Sequence, residues 1–226
     1  SNANGVPDVE GSGAASGNIV YLDVTTIDST LAGALGTIVL DVGQAINAYW
    51  TIAGPNSGSL AIDGFSSEIV FSGVANLVGG AGSDRMIGGL GADVYEWRLA
   101  DAGAAGAPPV DRIGDFNVAA AGAGGDVLDL RDLLQGETAS ATLDRYLDFD
   151  TTSVPGSTVI HVSSNGAFPA GAQWSAAQGG AEDQRIVLEG VDLRASLGLG
   201  GAVSDSQIIA ELVNRGKLLT DVPPGG

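Results

Sequence analysis

The chain has 226 residues, with 27 acidic and 9 basic side chains and a formal net charge of −18. That balance argues against electrostatic capture of nucleic acid or anionic lipid and makes a cation the expected charged partner. With no cysteine and one histidine, His161, the sequence excludes disulfides, thiolate nucleophiles, Cys-rich metal clusters and His-Glu-x-x-His zinc chemistry.

Apolar residues make up 44% of the chain and charged ones 16%, so there is enough material for a core and the chain is not a disordered acidic tail. Glycine (36 residues) recurs between apolar runs, and 20 of the acids are Asp, a composition of many tight turns. Ser1-Asn2-Ala3 reads as a protease-cleavage scar and is set apart from the fold. No apolar run approaches the roughly 18 residues of a membrane span. No basic start followed by an apolar stretch marks a signal peptide, so if the protein is exported the signal lies elsewhere.

From about Thr37, short β-branched or aromatic runs occupy 38–40, 49–52, 60–62, 68–71, 76–78, 85–87 and 94–97, with starts 11, 11, 8, 8, 9 and 9 residues apart. Asp63-Gly64 is the one two-residue hairpin signal among them. The spacing predicts a mainly β fold: a parallel β-solenoid or β-roll in which each strand pairs with its equivalent one coil later, preferred over a sandwich.

Two consecutive nonapeptides, 79–87 and 88–96, match the pattern Gly-Gly-x-Gly-x-Asp-x-apolar-x. The first six residues of each form a turn on which the backbone carbonyls of Gly79, Gly80 and Gly82, or of Gly88, Gly89 and Gly91, converge with the carboxylate of Asp84 or Asp93. The last three form a short strand with Met86 or Tyr95 pointing inward. Oxygen ligands on a tight turn suit Ca²⁺, which takes six to eight oxygens at variable angles, better than Mg²⁺. Glu96, Asp101 and Asp111 are candidates to complete the shell, and the expected number of ions is about one or two.

Gly/Ala-rich stretches at 102–109 and 119–125 interrupt the period. We read 4–106 as the solenoid and 107–226 as a β-rich capping module with short helices. Within it, 127–134 reads either as a short helix or as a strand followed by a turn, while 158–162 and 185–189 read as strands. Ser204 and Gln207 form a capping box for a helix with Ile208, Ile209, Leu212 and Val213 on its apolar face and Gly216 at its end.

The tandem repeats resemble the RTX (repeats-in-toxin) family of calcium-binding proteins exported by type I secretion. The segments Asp111-Arg112-Ile113-Gly114-Asp115-Phe116 and Gly125 to Leu130 are similar to the stretch of chain that comes after the repeats in that family. From Tyr146-Leu147-Asp148-Phe149 to Leu218-Leu219, the chain resembles the type I secretion C-terminal target domain of large bacterial surface proteins. In the family one coil is two nonapeptides, with calcium shared between turns 18 residues apart. Here Ser66 and Ala75 stand 18 before Asp84 and Asp93, and Ala102 and Asp111 stand 18 after, so neither turn has a full partner of its own kind.

The resemblance implies a non-catalytic, calcium-stabilised C-terminal region of a secreted or surface-attached bacterial protein such as an adhesin. Its partners would be calcium, the type I secretion machinery and, through the parent protein, a cell-surface or glycan target. Two alternatives stay open: a glycan-binding or carbohydrate-active solenoid, marked by a groove of Trp and paired carboxylates, and the tail of an RTX hydrolase. His161 reads as structural, because no Gly-x-Ser-x-Gly elbow accompanies it, and the lone Lys217 lacks a phosphate-loop context. Trp50, Trp97, Trp174, Tyr21, Tyr49, Tyr95 and Tyr146 read as caps on the ends of the core rather than a glycan face.

Overall fold

The computed structural model describes residues 82–89, 91–200 and 203–222 in full, together with the backbone of six earlier strands. Those six are β1 (Thr26–Asp28), β2 (Gly36–Val39), β3 (Ala48–Gly54), β4 (Ser57–Ile62), β5 (Ile69–Ser72) and β6 (Val74–Val78). The strands β7 (Arg85–Met86), β8 (Val94–Glu96), β9 (Val110–Ile113) and β10 (Val127–Asp129) come next. The last four are β11 (Leu147–Asp150), β12 (Thr158–Val162), β13 (Gln184–Leu188) and β14 (Leu218–Leu219). The side chains of Tyr21, Tyr49 and Trp50, and the turn residues Gly79 and Gly80, lie outside the described residues.

Among the described residues the fold is mainly β, with two sheets and no closed barrel. One sheet runs β1-β5-β4-β3-β7-β9-β13-β12-β11 and the other β14-β10-β8-β6-β2. From β6 to β10 successive strands alternate between the sheets, and each pairs in parallel with the strand one turn of chain later. Leu77 is in register with Tyr95, eighteen positions on, so the two-nonapeptide coil is realised between β6 and β8. Arg85 is paired with Arg112, twenty-seven positions on, and Val94 with Val127, thirty-three on. The Gly/Ala excursions account for the longer coils, and both sheets continue across residue 107.

Strand alternation sends one side chain in two to the core. In one sheet Leu77, Tyr95, Leu128 and Leu218 occupy one register column; in the other Met86, Ile113 and Leu188 do. Tyr95, Leu128, Met86, Ile113 and Leu188 are each 0% exposed and belong to one core cluster. Trp97 joins them at 1%, so it and Tyr95 fill the interior instead of capping an end.

Parallel pairing with the next coil does not hold everywhere. β3, β4 and β5 form an antiparallel meander, and β11, β12 and β13 form another. For β3 and β4 the reason is connection length: only Pro55 and Asn56 separate them, whereas a parallel crossover needs a dozen or more residues. The segment 127–134 resolves as a strand followed by a turn. The terminal helix is α2 (Asp205–Asn214), which comes after a single-turn helix α1 (Leu193–Ser196). Ser204 and Gln207 close the capping box on α2, Ile208, Ile209 and Leu212 are buried, and Gly216 takes φ +67° just beyond its end. The helix packs on β11 and β14, covering the edge region of the larger sheet.

Candidate functional site

The repeat turns meet aspartates of the following coil. The Asp84 amide donates to Asp111 Oδ1 at 2.8 Å, and the Gly88 and Gly89 amides donate to the two oxygens of Asp115 at 3.0 and 2.7 Å. The Asp93 amide donates to Asp126 Oδ1 at 3.0 Å, while Asp126 Oδ2 accepts from the Asn117 amide at 2.8 Å. Each turn thus presents N–H groups to a carboxylate one coil away, a charge-assisted bond that ties neighbouring coils together. Gly89 and Gly91, at φ +82° and +131°, supply the left-handed backbone this turn requires.

The turns differ in what is left for a cation. Around Asp84, Asp111 is 1% exposed, and its Oδ2 accepts from Trp97 Nε1 and Gln184 Nε2, both at 2.6 Å. Burial pushes Asp111 up to about 7 against the pull of those donors. Its oxygens are engaged by protein N–H groups. Asp101 accepts from the Arg98 amide at 2.8 Å, and Glu96 accepts from Arg98 Nε at 2.9 Å, so these two are also engaged locally. The structure therefore sets Asp111 beside Asp84, not beside Asp93 as an eighteen-residue count implied, because this coil runs to twenty-seven.

Around Asp93 the flanking carboxylates are engaged as well, Asp115 by the Gly88 and Gly89 amides and Asp126 by the Asp93 and Asn117 amides. The Oδ2 of Asp93 is buried and makes no hydrogen bond. Burial, then the charges of Asp126 and Asp115, push Asp93 up to about 6. The same causes raise the Tyr95 hydroxyl, which donates to Asp115 Oδ1 at 3.1 Å. A buried oxygen without a donor, flanked by two carboxylates, fits a hard cation, with turn carbonyls as further ligands. Among the described residues no three His, Cys, Asp or Glu side chains stand together in ligating geometry, so carbonyls would supply most of the shell.

Gly88 must remain glycine in this arrangement. A Cβ there would lie 2.4 Å from Tyr95 Oη and 2.6 Å from Asp93 Oδ2. Gly88→Ala is expected to cost about 1–3 kcal/mol in urea unfolding. Gly122→Ala, where a Cβ meets nothing within 4 Å, is expected to change little. Equal losses in the two variants would contradict this packing.

Asp115, Asp126 and Lys217 were not among the sequence candidates. The available signal was the Gly-Asp pairs at 114–115 and 125–126, which repeat the Gly-x-Asp turn theme beyond the nonapeptides. Lys217 is 0% exposed, and its Nζ donates to the carbonyls of Asn117, Ala119 and Asp126 at 2.6, 2.6 and 2.7 Å, above the Phe116 ring. Burial brings it down to about 8.

A second polar constellation sits on β11–β13. His161, buried, places Nδ1 2.6 Å from Glu182 Oε1, and Arg185 Nε donates to the same oxygen at 2.8 Å. The imidazole stacks on Trp174 with centroids 3.4 Å apart and planes 7° apart. Trp174 also lines a cavity of about 200 Å³ together with Asp148, Asp150 and Arg194.

No family model matches this chain, and no curated protein matches it. Among solved structures, it is similar to the solution structure of the AlgE6R2 subunit from the Azotobacter vinelandii mannuronan C5-epimerase. The likeness covers 92% of each chain at 18% identity, with a TM-score of 0.42. An overlap this loose leaves the fold to be read from the strand pairings themselves. Among the described residues no helix is long and apolar enough to cross a membrane.

Proposed function

We propose that this chain is a non-catalytic, calcium-stabilised β-roll region of a larger exported bacterial protein, with the type I secretion machinery as its export partner and the cell surface or medium as its destination. The observation that carries the reading is the buried, donor-free Oδ2 of Asp93, set between Asp115 and Asp126 on a turn of the tandem nonapeptides. Asp93, with carbonyls of the Gly88, Gly89 and Gly91 turn, would hold the ion, and Asp84 would serve the preceding turn. Bound calcium supplies positive charge that offsets carboxylate repulsion, so binding free energy becomes folding free energy. An affinity of about 10⁻⁴ to 10⁻³ M would leave such a site empty in the cytosol and filled outside. The export address would lie toward the end that begins at Ser204, and an adhesin is the parent protein we favour.

The test is thermal melting by circular dichroism in EDTA and in millimolar calcium. The wild type is expected to gain about 5 °C or more with calcium, and Asp93→Asn to lose most of that gain. Asp84→Asn is expected to lose less, because Asp93 has the charges of both Asp126 and Asp115 beside it for an ion to offset. Identical melting of the wild type in both buffers would sink the reading.

A second reading, glycan binding, is favoured by one specific observation: Trp174 and the carboxylates of Asp148 and Asp150 line one cavity.

A further inference from the structure

The cavity lies between β11, the segment around Gln173 and Trp174, and the two helices, away from the repeat turns. Asp148 and Asp150 are two apart on β11, which puts both on the same strand face. They are 3% and 8% exposed, and both line the cavity. Each is held by backbone donors. Asp148 accepts from the Trp174 amide. Asp150 Oδ1 accepts from the Thr152 amide and hydroxyl, both at 2.8 Å, and from the Ser153 amide at 3.0 Å. The two acceptors are therefore fixed before any ligand arrives, and little ordering cost remains for binding.

The rest of the lining is complementary. Arg194 and Gln173 bring N–H donors, and Trp174 brings an indole. The indole is immobilised: one face stacks on His161 at 3.4 Å, and Phe168 meets it edge-on at 6.0 Å. His161 is itself held by Glu182. A rigid aromatic wall facing preset carboxylates and a guanidinium recognises a ligand with a C–H surface and hydroxyls that both donate and accept.

We propose that this cavity binds one neutral hexose residue, its hydroxyls bridging Asp148, Asp150 and Arg194 and its C–H surface lying against Trp174. The volume agrees. A cavity of about 200 Å³ has room for a sugar ring. Charge selects among sugars, because ionised Asp150 and part-ionised Asp148 together outweigh one guanidinium and disfavour an acidic one. The guanidinium opposes a bare divalent ion. Asp148 is pushed up to about 7 by burial and then by Asp205 and Asp150, so near neutral pH it can donate to a sugar hydroxyl as well as accept. This site is independent of the calcium reading of the repeat turns; it rests on the glycan-binding reading of the same cavity and deepens it by naming the sugar class.

The test is saturation-transfer NMR and tryptophan fluorescence on the full chain, titrated with glucose, galactose, mannose and glucuronate, in EDTA and again in calcium. Saturable binding of at least one neutral hexose is expected, with Kd on the order of 1–10 mM. Glucuronate should bind at least about tenfold more weakly. Arg194→Gln, a half-buried change, should weaken the hexose about tenfold with an unchanged melting temperature. Asp148→Asn should do the same where it folds, and Arg194→Gln decides the matter where it does not. No transfer to any neutral hexose, tighter binding of glucuronate, indifference to Arg194→Gln, or a fluorescence response to calcium alone with none to sugar would each overturn the proposal.

Discussion

In chelator, the protein is expected to melt about 5 °C or more lower at pH 8 than at pH 5. Burial raises Asp148 and Asp111 to about 7 and Asp205 to about 6, and Asp93 rises to about 6 for the same first reason. A carboxyl whose folded pKa lies above its unfolded value near 3.9 binds its proton more tightly when folded. Its stabilisation is complete below about pH 4 and is lost as pH rises through 6 to 7. Asp150, brought down to about 2 by donors that overcome its burial, works the other way, but only as pH falls below about 4. Between pH 5 and 8 the raised group dominates. Calcium holding Asp93 ionised removes part of the loss, so its stabilisation should be larger at pH 8 than at pH 5. Melting curves at the two pH values, in EDTA and in calcium, check both statements. A chelated protein more stable at pH 8 would show that these carboxyls are not acting as the structure arranges them.

Replacing Lys217 with methionine is expected to cost about 3 kcal/mol or more in urea unfolding, the largest single-residue effect outside the apolar core. Methionine keeps most of the volume but removes all donors to three carbonyls within 2.7 Å of Nζ. Those carbonyls belong to the excursion between β9 and β10, so the residue just after α2 locks the long coil in place. The same variant has a pH signature. The folded Lys217 sits near 8 against an unfolded value near 10.4, so its charge opposes folding below pH 8, and the opposition is relieved as pH rises from 8 toward 10. The wild type should regain some stability across that window, and the methionine variant should not. A loss under about 1 kcal/mol would show that the carbonyls find other partners.

Several elements arise from local chemistry alone. The helix α2 starts at Ser204 because Ser and a glutamine three residues later satisfy its first amides, and it stops before Gly216 because only glycine takes that backbone cheaply. Met86 and Tyr95 are buried on short strands, each two residues after a repeat aspartate, Asp84 or Asp93. The eighteen-residue coil appears where two uninterrupted nonapeptides separate the paired strands, between β6 and β8. Each of these depends on residues within a few positions of one another, and each was legible in the sequence.

Asp111 shows where such reasoning stops. By count it belongs opposite Asp93, yet its oxygens bond the Asp84 amide, the Trp97 indole and the Gln184 amide, groups from three distant parts of the chain. Coil length decided that placement, and coil length is set by how far an excursion loops out before the next strand docks. Lys217 and the Asp148–Trp174 cavity are the same kind of fact: a lysine 91 or more positions from its acceptors, and a pocket closed by two helices and a loop. Periodicity and capping act between near neighbours, so the sequence by itself determined the repeat turns, the strands and the terminal helix. Which carboxylates stay donor-free, which are spent on amides, and where a cavity opens depend on contacts between remote segments, and only the tertiary structure decided those.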